Sequence, residues 1–108
     1  MPVPFDEQKA ILAAISEFQA GNLDALRLAE RVAGLATRLD PEHQDDDLTA
    51  FVAVLSETDK YLVQDSLRGW HESVRDQREQ EYRRAEARYR PDITAAASAL
   101  QRRWGAPA

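Results

Sequence analysis

Five carboxylates fall within eight consecutive positions near the middle of the chain, residues 40–47. Carboxylates could bind a divalent cation, but Ca²⁺ needs roughly six to eight oxygen ligands that converge on one point. Adjacent aspartates point apart, and the alternating ligands and central glycine of a calcium-binding loop are missing. We therefore expect no metal here. We interpret the segment as a polar loop in which one of the last aspartates caps the following helix.

The same acidic loop could instead be a docking surface for another protein. Concentrated negative charge attracts a basic partner and accelerates encounter through long-range electrostatics. The sequence therefore predicts a basic protein as the partner. The predicted partner-binding residues are Asp40, Glu42, Asp45, Asp46 and Asp47.

The other residues that could support catalysis form no recognisable arrangement. His43 and His71 are the only histidines, and Arg75 stands where a zinc-protease motif beginning at His71 needs its second histidine. No serine lies in a Gly-x-Ser-x-Gly elbow, and there is no phosphate-binding loop or dinucleotide fingerprint. The chain has no cysteine, which excludes disulfides and thiolate metal sites. We expect a protein that is not an enzyme and that uses no metal or other cofactor.

An arginine-rich stretch, residues 83–90, makes nucleic-acid binding a further alternative. Phosphate binding needs basic residues without competing acids on the same face. Acidic residues are interleaved with these arginines, and the pI of about 5.0 is far below that of typical nucleic-acid-binding modules. An ion-paired, solvent-exposed helix is favoured, with Glu79/Arg83 and Glu86/Arg90 in the favourable acid-first i,i+4 order.

Aromatic side chains are a second kind of candidate binding residue, because tryptophan and tyrosine are enriched among the energetically important positions of protein interfaces. Trp70, Tyr82 and Tyr89 are possible aromatic anchors for a partner. The alternative for each of them, and for Trp104, is packing in the core.

The length and composition of the chain limit the fold that can position these residues. A chain of 108 residues fits a single domain, residues 1–108. Its 44% hydrophobic content supports one core, and its 31% charged content must lie on exposed faces. Residues 1–60 carry a net charge of −7 and residues 61–108 a net charge of +2. No apolar run approaches the ~20 residues of a membrane span, and the start lacks the features of a secretory signal, so a cytoplasmic location is expected.

Apolar residues recur at helical spacing along most of the chain, and no alternating β pattern appears. The first predicted helix covers residues 6–20 and ends at Gly21, and Asn22 is predicted to cap a second helix, residues 23–39. Asp40-Pro41 ends that helix. The third helix follows the acidic loop, and its apolar face is predicted to comprise Leu48, Phe51, Val52, Leu55 and Leu62.

The apolar stripe then shifts, which predicts a break or bend between Glu57 and Asp65, with a single curved helix as the alternative. Residues 63–90 are predicted to form a long charged helix, since eleven of the nineteen residues from 72 to 90 are charged. Pro91 is predicted to open a last helix. Its core-facing stripe is Ile93, Ala97, Leu100 and Trp104. The predicted fold is all-α, an irregular bundle of four or five helices with one long charged helix.

The opening segment, Ile15-Ser-Glu-Phe18-Gln-Ala-Gly21, followed by an amphipathic helix and an acidic middle, resembles the start of some small acidic helical immunity proteins. These proteins protect bacteria from bacteriocin-type or contact-delivered toxins. The resemblance covers roughly the first sixty residues, and the arginine-rich stretch departs from it. It implies an antitoxin-like inhibitor that occludes a basic toxin nuclease, with carboxylates in the place of phosphates.

The function predicted from sequence is therefore non-catalytic protein binding through the acidic loop. The alternative is a homodimeric structural or adaptor protein that assembles through residues 63–90 and buries Val74, Ala85 and Tyr89. The two differ in outcome: loop substitutions abolish function in a folded monomer in the first case, and stability depends on concentration in the second. Neither nucleic acid nor membrane is the expected partner.

Overall fold

The computed structural model describes the backbone of residues 3–61 and 72–104, and the side chains of residues 6–60 and 75–104. Its helices are α1 (Val3–Gln19), α2 (Ala25–Leu39), α3 (Asp46–Thr58) and α4 (Glu72–Trp104). A 3-10 turn, Asp59–Tyr61, follows α3. No strand occurs among these residues, which confirms the all-α prediction. The number of described helices matches the predicted four or five.

Helix α1 ends at Gly21, as the sequence predicts. The backbone there adopts a φ of 87°, in the left-handed region that favours glycine. The Gly21 amide donates to the Phe18 carbonyl at 3.1 Å, and the Asn22 amide donates to the Glu17 carbonyl at 2.9 Å. These two hydrogen bonds form a Schellman motif, which satisfies carbonyls that the end of the helix would otherwise leave without donors.

The predicted N-cap of α2 at Asn22 is wrong. Asn22 completes the C-terminal motif of α1, and α2 begins three residues later at Ala25. Asp24 is the N-cap: its backbone is extended, and its Oδ1 accepts a hydrogen bond from the Arg27 amide at 2.8 Å. The connection between the two helices is therefore longer than the predicted two residues.

One hydrophobic core receives side chains from all four helices. The predicted stripe of the last part of α4 is buried in it at Ile93, Ala97 and Leu100, which confirms the helical spacing, whereas Trp104 is half-buried. On α3, Val52 and Leu55 are only half-buried, whereas Val54 and Thr58, which were not in the predicted stripe, are buried. The largest fully buried hydrophobic side chains are Phe51, Ile11, Ile15, Leu26, Leu28, Leu48, Ile93, Leu100 and Val32.

The predicted break after Glu57 is confirmed, because α3 ends at Thr58 and a 3-10 turn follows. The prediction that Pro91 opens a separate helix is wrong, because α4 runs through Pro91 without interruption. A proline inside a helix removes one backbone hydrogen bond. Pro91 is exposed, so water can hydrate the carbonyl that loses its donor.

Helix α4 has 33 residues and is about 50 Å long. Between residues 75 and 84 none of its side chains is buried, and from Ala85 onward it contributes to the core. The predicted charged helix, residues 63–90, is described only from residue 72. None of the described helices combines the length and apolar character that crossing a bilayer requires.

Candidate protein-binding surface

Asp40 organises the acidic loop from its first position. Its carboxylate accepts hydrogen bonds from the backbone amides of Gln44, at 3.0 Å, and Asp45, at 2.9 Å. Its carbonyl accepts a hydrogen bond from the His43 amide at 3.1 Å. His43 has a φ of 55°, a left-handed conformation that is uncommon for a residue with a side chain. The loop thus has a defined turn between α2 and α3.

Asp45 is the N-cap of α3, which confirms the prediction that one of the last aspartates would cap this helix. Its Oδ1 accepts hydrogen bonds from the amides of Asp47, at 3.0 Å, and Leu48, at 3.2 Å. These are amides in the first turn of the helix, where backbone donors have no partner within the helix.

Arg103, in the last turn of α4, also binds this cap. Its guanidinium donates to both Asp45 oxygens, at 2.6 and 3.1 Å, and to Asp47 Oδ2 at 2.9 Å. The guanidinium hydrogen bond holds the pKa of Asp45 below its usual value, an effect that partial burial opposes and the amide hydrogen bonds support. The same contacts raise the pKa of Arg103. Arg103 was not among the candidate residues identified from the sequence, so sequence reasoning missed it.

The five predicted partner-binding carboxylates therefore divide into two groups. Asp40, Asp45 and Asp47 bind backbone amides or Arg103 within the chain and are half-buried. Glu42 and Asp46 are exposed. Glu42 accepts only a 3.2 Å hydrogen bond from the Gln44 side chain, and Asp46 has no side-chain partner in the described part of the chain. The structure places the first three on the connection between α2 and α3 and Asp46 and Asp47 in the first turn of α3, and it leaves two of the five exposed to solvent.

An open cleft of about 570 Å³ lies beside the loop. Four of its described lining residues are aspartates and one is arginine, which gives these residues a net charge of −3. In residues 6–60 and 75–104, no group of three or more His, Asp or Glu side chains is arranged to hold a metal ion. The lining residues are Gln8, Leu39, Asp40, Gln44, Asp45, Asp46, Asp47, Leu48, Arg103 and Trp104.

A second depression of about 440 Å³ runs between α3 and α4, and we call it the α3/α4 groove. Asp47 lines both the cleft and the groove, so the two adjoin at this residue, and together we call them the concave surface. The floor of the groove is apolar, and among the residues that the structure describes its lining contains three carboxylates and no basic side chain. The lining residues are Asp47, Ala50, Ala53, Val54, Glu57, Tyr89, Asp92, Ala95 and Ala96.

Tyr82 and Tyr89, the predicted aromatic anchors whose side chains are described, are both half-buried and contact other residues of the chain. Tyr82 is half-buried, and its hydroxyl donates to Asp24 Oδ2 at 2.7 Å. Burial and that carboxylate both raise the pKa of Tyr82 above its usual range. Tyr89 packs against the core and forms part of the groove wall. Trp104 is half-buried against the core, and Trp70 lies outside the described residues.

The arginine-rich stretch joins α4 to the start of α2. Glu86 accepts a hydrogen bond from the Ala25 amide at 2.9 Å and one from Arg90 Nε at 3.3 Å. The Arg90 guanidinium also lies 5.4 Å from the centre of the Phe18 ring. The predicted Glu86/Arg90 pair is confirmed, and so is the Arg83–Glu79 pair, at 3.1 Å. Part of this stretch therefore stabilises the bundle.

Two of the residues predicted for a homodimer interface pack against the core of their own chain. Ala85 is buried and Tyr89 packs against the same core. The side chain of Val74 lies outside the described residues.

Comparison with protein-family models, with curated proteins and with solved structures finds no match for this chain. The functional interpretation therefore depends on the geometry of the concave surface itself.

Proposed function

We propose that this chain is a non-catalytic protein-binding domain that receives a basic partner on the concave surface beside its acidic loop. In its sharpest form it is an immunity or antitoxin-like inhibitor, which blocks a basic toxin by covering the toxin's active surface. The observation that carries the proposal is the cleft of about 570 Å³ with four aspartates and a single arginine in its lining.

Arg103 illustrates the chemistry that such a partner would use. The acidic loop holds its guanidinium with three charge-assisted hydrogen bonds of 2.6 to 3.1 Å. Bonds of this kind are short and strongly directional. The loop is thus geometrically suited to guanidinium groups, and two of its carboxylates are still exposed after Arg103 is bound.

Glu42 and Asp46 supply the charge that a partner would meet first. Exposed carboxylates speed association and make binding salt-dependent, so removing them lowers the affinity through the association rate. A partner that normally binds phosphates would accept carboxylates in their place, which is how an inhibitor of a nuclease would occupy the phosphate-binding groups.

The proposal is tested by affinity capture with the full chain as bait. The immobilised wild-type chain and the E42Q/D46N double variant are exposed to the proteins of the source organism at low and high ionic strength. We expect a basic protein that the wild type retains at low salt, that high salt releases and that the double variant fails to retain. The captured protein is then purified, and its affinities for the wild-type chain and for the double variant are measured.

The matched control is the D59N/D76N double variant, which removes the same charge from exposed positions outside the loop and the cleft. This control should retain the partner as the wild type does. Equal capture by wild type and E42Q/D46N, or loss of the partner from both double variants, would contradict a role for the acidic loop.

A further inference from the structure

We infer that the α3/α4 groove binds an amphipathic helix of the partner whose apolar ridge is flanked by lysine or arginine on both sides. This inference rests on the proposed function for the basic character of the partner, and it adds the binding mode and the residues involved. The groove residues are distinct from Glu42 and Asp46, so the two ideas can fail separately.

The shape of the groove favours an apolar ridge of side chains. Small residues, Ala50 and Ala53 on α3 and Ala95 on α4, line much of its walls, and about 440 Å³ of space lies between the helices. Ala53 and Ala95 are exposed on the described surface. Larger apolar side chains of a partner would fill this space and remove both surfaces from water.

The backbone of the groove favours a helix over an extended strand. Both walls are α-helices whose backbone groups are already hydrogen-bonded within each helix. An extended segment would bury amides and carbonyls that find no partners there, whereas a helix satisfies its own. The stretch of α3 from Asp47 to Glu57 is about 15 Å long, which corresponds to roughly ten residues or three turns of a partner helix.

The charges on the rim select a basic helix. Glu57 on α3 and Asp92 on α4 are exposed, and neither has a partner in the described part of the chain. They lie on opposite walls of an apolar floor, and no basic side chain is present in the described lining. Asp47 extends the negative rim towards the cleft, although it is bound to Arg103. Lysine or arginine on both flanks of the ridge would meet a carboxylate on each side.

The test uses a fluorescein-labelled peptide of roughly 18 residues, long enough to form a helix on binding. Leucines at i, i+3, i+4 and i+7 form its ridge, and lysines flank them. One control peptide has glutamates in place of the lysines, and a second has the same composition with the leucines spread around the helix. Fluorescence anisotropy with the full chain should show binding of the first peptide only.

Substitutions then locate the site. Filling the groove with A53Q or A95Q should weaken peptide binding about tenfold or more, because an added side chain occupies the space of the ridge. A87Q, an equal change at an exposed alanine of α4 outside the groove, should leave binding unchanged. E57Q and D92N should each weaken binding by about two- to fivefold at low salt, while D76N should not. Circular dichroism and thermal melting verify that every variant is folded.

The inference is overturned if the lysine-flanked peptide fails to bind, or if it binds equally well to A53Q and A95Q. It is also overturned if sedimentation equilibrium shows a dimer that A53Q dissociates, since a second copy would then occupy the groove. Peptide binding that fails while E42Q/D46N still loses the captured partner would discard the helix but keep the proposed function. If the peptide binds while E42Q/D46N still retains the captured partner, recognition lies in the groove, and the role of the acidic loop is discarded.

Discussion

Asp45 has two roles that a pair of substitutions can separate. It caps α3 through the amides of Asp47 and Leu48, and it pairs with Arg103. The D45N variant keeps a side chain that caps helices as well as aspartate does, but it removes the charge that Arg103 needs. The D45A variant removes the cap and the charge together. The difference between the two variants measures the cap alone.

The magnitudes follow from the exposure of the pair. The Asp45 side chain is 19% exposed and that of Arg103 is 45% exposed, so solvent screens part of their attraction. We expect D45N to lower the free energy of unfolding by about 0.5–1 kcal/mol. Loss of the cap adds about 1 kcal/mol, so D45A should cost about 1.5–2 kcal/mol. In a domain of this size these losses lower Tm by about 2–4 °C and 6–8 °C respectively.

The assay is urea unfolding followed by far-UV circular dichroism, near neutral pH and in acid. Because the pKa of Asp45 is lowered in the folded state, its contribution is present above the ordinary carboxyl pKa of about 3.9 and is lost as the pH falls through the lower folded value. The advantage of the wild type over D45N should therefore disappear in acid. A double-mutant cycle with R103M should give a coupling of about 0.5–1 kcal/mol.

Two results would refute this reasoning. Equal destabilisation by D45N and D45A would show that capping by Asp45 contributes nothing to stability. A coupling near zero between D45N and R103M would show that the ion pair is present in the structure but does not stabilise it.

Three further predictions concern the stability of the helical bundle. Y82F, which removes the hydroxyl that donates to Asp24, should cost about 0.5–1.5 kcal/mol in urea unfolding. Because the folded-state pKa of Tyr82 is raised, this contribution is present below the ordinary tyrosine pKa of about 10 and is lost as the pH rises above it towards the higher folded value. An absorbance titration that shows Tyr82 ionising at its ordinary pKa would contradict the prediction. Gly21 and Gly34 both have open space around them, yet alanine should have opposite effects at the two positions. G21A should lower the free energy of unfolding by about 1 kcal/mol because of the φ of +87°, whereas G34A, inside α2, should raise it by about 0.5–1 kcal/mol. Thermal unfolding that shifts Tm in the same direction for both variants would be the contrary result. P91A should raise the free energy of unfolding by about 1–3 kcal/mol, since it restores a backbone donor inside α4, whereas a separate helix that started at Pro91 would give no gain.

The sequence predicted those features that depend on local spacing. The stripe of Ile93, Ala97 and Leu100 is buried, Gly21 ends α1, and an aspartate at the end of the acidic loop caps α3. Each of these follows from helical periodicity or from the hydrogen-bonding needs of a helix terminus, and both can be evaluated within about ten residues of sequence.

The incorrect predictions involve residues for which two local roles compete. Asn22 is a good capping residue by type, but the Schellman motif at Gly21 uses its backbone, and Asp24 is free to cap α2 instead. Pro91 favours the first turn of a helix, but here the packing of α4 on both sides of it against the same core outweighs one lost hydrogen bond. Tertiary contacts decide the case of Pro91, and local sequence does not contain them.

The internal use of Asp40, Asp45 and Asp47 determines how the acidic loop must be tested. The five carboxylates are equivalent in the sequence, because only contacts made after folding distinguish them. Arg103, for example, is 58 residues from Asp45 along the chain and binds it directly. Neutralising all five would remove a helix cap, a turn and an ion pair at once, so loss of a partner could not be told from loss of the fold. Removing only the two exposed carboxylates leaves those contacts in place. If that variant loses the partner while the variant's free energy of unfolding equals that of the wild type, the exposed charges bound the partner.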